Sequence, residues 1–344
     1  MSIHDETFYS NGKLLLTGEY VVLDGALSLA VPTRYGQSLS VTGMDSSHEM
    51  GSSQLIWHSL DHNGSVWFRG VFDLRQLFGN ATPNPGGPIE KTLIKILREA
   101  RRMNPDFLKG TLEKARDGIG KERDGIGNGK DGPGHKVTTQ LDFPRDWGLG
   151  SSSTLINNIA QWAEVDAYTL LWNSFSGSGY DIACARHDHA ITYRLERGNS
   201  IHRAIPRVRE TDFDPPFRDQ LYFVHLNKKQ NSREGIANYR QQGFNRPGLV
   251  QRISEITRKA ISCKTLKEFE TLMTEHEALI SKTLRIPTVK ESFFPDYPGA
   301  VKSLGAWGGD FVLAMGNDGT PSYFRELGYD TVVPYSKMVL GTES

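Results

Sequence analysis

An α+β protein in two parts is what this sequence predicts, and three observations predict it. Segments of strand and helix character alternate irregularly, which argues against a doubly wound parallel sheet. The length of 344 residues suits two domains and is ample for a real core. The hydrophobic share of 38%, with 35 glycines besides, is ordinary for a globular protein and excludes a disordered chain or a collagen-like fibre. A second half begins near Pro206, so the expected division is 1–205 and 206–344.

Early in the chain, Lys13-Leu14-Leu15-Leu16-Thr17-Gly18-Glu19-Tyr20-Val21-Val22-Leu23 sets two apolar runs around a glycine. This reads as a strand, a turn, then a strand or helix. Leu27–Val31 and Gln37–Val41 read as two further strands. Asn63-Gly64 between aromatic-rich runs at 55–60 and 66–72 predicts a hairpin, because both residues tolerate positive φ. After a Pro/Gly loop at 82–88, Ile89, Leu93, Ile96, Leu97, Ala100 and Met103 recur at helical spacing, with a basic opposite face that reads as solvated. Residues 116–134 repeat Arg-Asp-Gly-Ile-Gly and predict a flexible loop. Its Gly127-Asn128-Gly129-Lys130-Asp131-Gly132 matches G-x-G-x-x-G, but no strand precedes it and no apolar helix follows, so the dinucleotide mechanism has no support. His135–Phe143 reads as a strand, and Leu155 to Leu171 as one long amphipathic helix. Beyond a Gly-rich turn at 177–181, strands are predicted at 190–195, 221–226, 311–315 and 331–333. Helices are predicted at 232–242, 249–263 and 266–284.

The 40 basic and 40 acidic residues cancel. Such a chain has no global field to hold nucleic acid or an anionic membrane. Two cysteines, Cys184 and Cys263, make no disulfide framework and lack metal-ligand spacing; they fit a reducing cytoplasm. No apolar run reaches the ~18 residues of a membrane span, and the polar start is unlike a signal peptide. Neither nucleic acid nor a membrane is therefore an expected partner.

Four segments carry chemistry. Gly148-Leu149-Gly150-Ser151-Ser152-Ser153 is a glycine turn opening a helix, where unpaired N–H groups and the helix dipole favour phosphate. An ordinary Ser-capped helix fits the same hexapeptide, and a Walker A lysine is absent. Asp181 follows a glycine turn and precedes an apolar run, so it can accept a proton, meet a cation or cap a helix. Lys13 stands at a strand entrance with Glu19 beyond it; a shared face and a plain solvated lysine both fit. Gly305-Ala306-Trp307-Gly308-Gly309 before a strand suits a backbone nest or a simple turn.

The order of these segments resembles the GHMP kinases over about residues 8–340, and within them the phosphomevalonate and mevalonate kinases. Gly177–Cys184 and Lys228–Glu234 are similar to stretches of the phosphomevalonate enzyme; Tyr180-Asp181-Ile182-Ala183 resembles a bacterial branch. The resemblance implies an N-terminal ATP-binding domain and a C-terminal ferredoxin-like domain, ATP and Mg²⁺ as cofactors, and a hydroxy-acid or phospho-acid substrate. A monomer or homodimer is expected. It implies that Gly148, Leu149, Gly150, Ser151, Ser152 and Ser153 cradle the ATP phosphates, with Ser152 also on Mg²⁺ and Glu19 behind the metal. Asp181 is the implied base and Lys13 the cation that lowers the hydroxyl pKa. Gly305, Ala306, Gly308 and Gly309 close over phosphate and substrate. For a phosphorylated substrate, Lys136, Arg145, Arg186, Lys228, Lys229 and Arg233 are available.

Three positions depart from the family pattern. Asn11 replaces the proline of Pro-Gly-Lys, Trp307 replaces a glycine, and the acidic metal ligand of some members falls here at Leu170. A decarboxylase of the same superfamily should lack Lys13, and a silent binding protein would fit Trp307 and Leu170; both remain alternatives.

Overall fold

The computed structural model describes residues 5–44, 54–79, 86–109, 134–197, 204–230 and 232–341. Most of the 116–134 repeat, its glycine motif and residues 82–85 lie outside these. The chain folds as two compact units. One comprises residues 1–10, 36–144 and 151–177; the other comprises 11–35, 145–150 and 178–344. The expected boundary at 205 and 206 falls inside the second unit. Among the described residues no helix is long and apolar enough to cross a membrane.

In the first unit, the end of β2 (Ser28–Gly43) pairs antiparallel with β5 (His135–Leu141), which lies parallel to β3 (Gln54–Leu60). The outer strand is β4 (Val66–Asp73), joined to β3 by the Asn63-Gly64 turn, with Gly64 at φ 79°. Strict alternation buries one face: Leu39 and Val41, Trp57 and Ser59, Val137, Thr139 and Leu141 all point inward. Registers Trp57↔Val137 and Val41↔Val137 put these side chains in one row.

Helix α1 (Leu74–Phe78) is capped by Asp73; α2 (Pro88–Met103) buries Leu93, Ile96, Leu97 and Ala100, while Ile89 at its start is exposed. The expected single helix over 155–171 is two, α3 (Ser151–Trp162) and α4 (Ala167–Ser174). Glu164 takes φ 54°, and Asp166 accepts from the Thr169 N–H at 2.8 Å. That cap contributes about 1 kcal/mol to starting the second helix. The inward face of α3 is partly polar. Thr154, Asn157 and Asn158 are buried, and each is hydrogen-bonded, to Gln37, Ser10, and both of these respectively.

The second unit contains most of β1 (Glu6–Thr17), a 3₁₀ turn at Val21–Asp24, and the first half of β2. The two strands expected at 27–31 and 37–41 are thus one continuous strand. The first half of β2 pairs with β6 (Ile191–Arg197), and β6 with β7 (Ala204–Glu210). The short α5 (Tyr180–Ala185) precedes β6.

Then follow β8 (Leu221–His225), α6 (Ser232–Gln241), α7 (Arg246–Ser262), α8 (Leu266–Leu284) and α9 (Val289–Phe293). The chain closes with β9 (Val301–Ser303), β10 (Phe311–Met315), α10 (Thr320–Glu326), β11 (Val332–Pro334) and α11 (Tyr335–Met338). The strands form an antiparallel sheet in the order β11-β8-β10-β9. With helices between β8 and β9 and between β10 and β11, this is the βαββαβ plan of a ferredoxin-like sheet. Every residue of β8 and β10 is buried, so both faces of the sheet are covered. Phe294, Phe324 and Tyr297 pack on the face presented by Tyr222, Val224, Val312 and Ala314.

Candidate active site

Lys13 lies on β1 in the second unit. Its N–H donates to the Leu149 carbonyl at 3.0 Å, which ties the strand to the glycine turn. Its ammonium donates to the Gly148 carbonyl at 2.9 Å and stands 3.7 Å from Oδ1 of Asp181. Both side chains keep some exposure, 13% for Lys13 and 24% for Asp181. The lysine is therefore not a solvated strand end; it bridges a main-chain oxygen and a carboxylate.

Gly148 and Gly150 take φ 68° and 95°, a region closed to most L-residues. A Cβ on Gly150 would also press on Cε of Lys13 at 3.2 Å. The turn thus needs glycine for its conformation and for its closeness to Lys13. The chain passes directly from Gly150 into the first turn of α3, where Ser152 is exposed and Ser151 and Ser153 are half-buried. The first-turn N–H groups of a helix are the unpaired donors that anions seek.

Asp181 sits in the first turn of α5, but Gly179 occupies the N-cap position with φ 88°. The carboxylate thus stands two residues past the N-cap, within the first turn, and faces Lys13. Cys184, on the same short helix, is fully buried, and burial pushes its thiol pKa up, so it is an inert neighbour.

Glu19 is placed differently from the outer metal partner expected of it. It is fully buried, and its Oε1 accepts from the Lys302 ammonium. Its Oε2 lies 3.3 Å from Nε2 of His276, which itself accepts from the Gly18 N–H at 2.9 Å. Burial and the Lys302 charge push the His276 pKa well below the usual imidazole value, so this ring is neutral. Burial raises the Glu19 carboxyl against the pull of Lys302. Next to His276, Glu277 accepts from the Ser303 N–H at 3.0 Å and the Ser303 hydroxyl at 3.2 Å; burial pushes its pKa up to about 8. An ammonium of the protein, rather than a metal, answers the Glu19 carboxylate.

The 305–309 turn places positive φ at Gly305 and Gly308, on either side of Trp307. Trp307 avoids that region and is buried, its N–H donating to the Tyr20 hydroxyl at 3.2 Å. Asp310 ends the turn with φ 53°. Its N–H donates to the Lys228 carbonyl at 2.7 Å and its Oδ1 accepts from the Gln230 N–H at 3.1 Å. Burial raises its carboxyl pKa, opposed by that N–H and by Lys13 and Lys229. Lys229 donates to the Arg145 carbonyl at 2.7 Å.

Of the residues expected from sequence, Lys13, Gly148, Leu149, Gly150 and Asp181 are brought together. Sequence reasoning missed Asp310, Lys302, His276 and Glu277. An acid directly after Gly308-Gly309 was the available signal for Asp310. Among the described residues no group of three or more His, Cys, Asp or Glu side chains is arranged to hold a metal.

No family model and no curated protein matches the sequence. Solved structures do match. Mevalonate kinase from Methanococcus jannaschii is 17% identical, with a TM-score of 0.62 and 96% of each chain covered. Streptococcus pneumoniae phosphomevalonate kinase, solved with phosphomevalonate and AMPPNP, is 15% identical with a TM-score of 0.60, covering 98% of each chain. Mevalonate diphosphate decarboxylase from Staphylococcus aureus is 14% identical with a TM-score of 0.55, covering 96% of this chain and 95% of that one. All three neighbours are members of the GHMP superfamily, and it is their fold, over nearly its whole length, that this chain has.

Proposed function

We propose that the chain is an ATP-dependent small-molecule kinase that passes the γ-phosphoryl group to mevalonate or 5-phosphomevalonate. The observation that carries this reading is the Lys13 ammonium, held 2.9 Å from the Gly148 carbonyl and 3.7 Å from the Asp181 carboxylate. Phosphoryl transfer asks a protein for positioning and charge compensation more than for covalent chemistry. The 148–153 run offers N–H groups to the phosphates. Asp181 accepts or orients the proton of the attacking hydroxyl. Lys13 stabilises the alkoxide as it forms and the charge on the transferring group.

Mg²⁺ takes oxygen ligands; the resemblance assigns it to the Ser152 hydroxyl, and the Asp310 carboxylate beside Gly148 is a donor of the same kind. When bound with the nucleotide, the ion neutralises phosphate charge. Gly305, Ala306, Gly308 and Gly309 are assigned to closing over the substrate. Glu19, enclosed with Lys302, is assigned to holding the strand that carries Lys13. Lys13 itself speaks against the decarboxylase. Both cysteines are free and buried, which supports a cytoplasmic setting.

The test is ADP release with ATP, Mg²⁺ and, in turn, mevalonate, 5-phosphomevalonate, homoserine and galactose. ADP without CO₂ from one of the first two is the expected result. CO₂ from diphosphomevalonate, or nucleotide binding without turnover on any acceptor, would overturn it.

A further inference from the structure

Asp310 puts a carboxylate where the proposed chemistry brings phosphate. Its left-handed backbone costs a non-glycine residue roughly 1 kcal/mol or more, although Asp is among the residues that tolerate it. Two main-chain hydrogen bonds hold it there: its N–H to the Lys228 carbonyl at 2.7 Å, and the Leu226 N–H to its own carbonyl at 2.8 Å. So held, the side chain lies over Gly148. A Cβ on that glycine would sit 2.4 Å from Cγ of Asp310 and 2.5 Å from Oδ2. Oδ1 is engaged by the Gln230 N–H; among the described residues Oδ2 accepts no hydrogen bond.

A carboxylate beside a phosphate-binding turn repels an incoming polyphosphate unless a cation stands between them. Two of the protein's own cations nearby are shared with other oxygens, Lys13 with Gly148 and Asp181 and Lys229 with the Arg145 carbonyl, so they offset the Asp310 charge only in part. A divalent ion would reconcile the two anions. Mg²⁺ is commonly held by one or two carboxylates together with substrate phosphates, rather than by an all-protein cage. That suits a chain whose described residues contain no ready-made cluster of metal ligands. Leu170, at the position of the acidic ligand of some GHMP kinases, is fully buried in α4 and offers no donor atom.

We propose that Asp310, through Oδ2, is the protein's carboxylate ligand for the divalent cation that arrives with the nucleotide. This rests on the kinase reading and names the residue that supplies its metal selectivity.

The experiment compares the whole protein with its Asp310→Asn variant, titrating each with AMPPNP alone and with Mn²⁺·AMPPNP, and following the Mn²⁺ by electron paramagnetic resonance. Asn also tolerates the left-handed region and can still accept from Gln230, so the fold is kept; an unchanged circular dichroism spectrum checks this. The expected result is a loss of about 10-fold or more in the preference for the metal-bound nucleotide, since even an outer partner of a metal ligand carries that much. Metal-free AMPPNP should bind the variant as well as the wild type, or better. An unchanged preference would overturn the proposal. Equal tightening of both nucleotide forms would also overturn it, and would make Asp310 a blocker of the phosphate site. Failure of the wild type to bind either form would overturn the kinase reading and this proposal with it.

Discussion

The same strand leads into two lysine–carboxylate pairs of opposite character. Lys13 and Asp181 meet at 3.7 Å with both side chains partly exposed. Six residues further on, Glu19 meets Lys302 with neither side chain exposed at all. The first pair is loose and its lysine divides itself between two oxygens, so a substrate can exchange into it at little cost. The second has already lost its water. Its charges depend on each other, because an unpaired ion in that setting carries a desolvation penalty of several kcal/mol. Reactive groups need the first condition, and a frame that holds them needs the second.

The largest expected effects lie at the open pair. Asp181→Asn should lower turnover by about 10²–10⁴ while nucleotide affinity changes little, as for a general base. Steady-state kinetics and nucleotide titration read the two quantities; an unaffected rate would return Asp181 to a structural role. Lys13→Met should lower turnover in the same way without loss of thermal stability, because the pair it breaks is partly solvated.

At the sealed pair the expectation reverses, with stability the quantity that moves. Lys302→Met strands Glu19 and should cost about 3–5 kcal/mol in denaturant unfolding. Adding Glu19→Gln to that variant removes the stranded charge and should recover most of the loss. A Lys302→Met variant no less stable than wild type would show that the buried charges do not depend on each other.

The smallest effect sharpens the picture of the sealed region. Glu277 has a pKa of about 8 in the folded protein, above its unfolded value, because burial disfavours the carboxylate. The folded state then binds more protons than the unfolded one between those two values. Its contribution is fully present below the unfolded pKa and is lost as pH rises through about 8. Glu277→Gln should therefore flatten the fall in melting temperature on the alkaline side, measured from pH ~5 to ~9. His276 acts in the other direction. Its folded pKa is depressed, so its contribution is lost as pH falls below the ordinary imidazole value. Equal slopes for wild type and the Glu277 variant would show that Glu277 is not the group responsible.

Much of the fold was legible because its signals are local. The Asn63-Gly64 hairpin, the helix over 266–284 and the fully apolar run at 311–315 each follow from neighbouring residues. The long helix over 155–171 was misread because its apolar spacing continues through the break. What stops it is the left-handed Glu164 and the Asp166 cap, neither of which disturbs hydrophobic periodicity. Of the candidate site, Lys13 and the glycine turn were visible as residue types beside distinctive turns. Asp310 was not, because the glycines before it mark a turn but carry no record of Gly148, over which its carboxylate lies.

From the sequence alone came many of the secondary elements, the glycine turns at 148–150 and 177–179, and the chemical kinds of group set beside them. Backbone preference and side-chain chemistry are properties of a few adjacent residues, and they survive without any knowledge of the fold. Only the tertiary structure decided which charges meet. Lys302 finds Glu19 across 283 positions, and Lys13 finds Gly148 across 135. Those pairings, and the burial that makes one carboxylate available and seals another, arise from packing between distant segments, where local sequence carries no record of the partner.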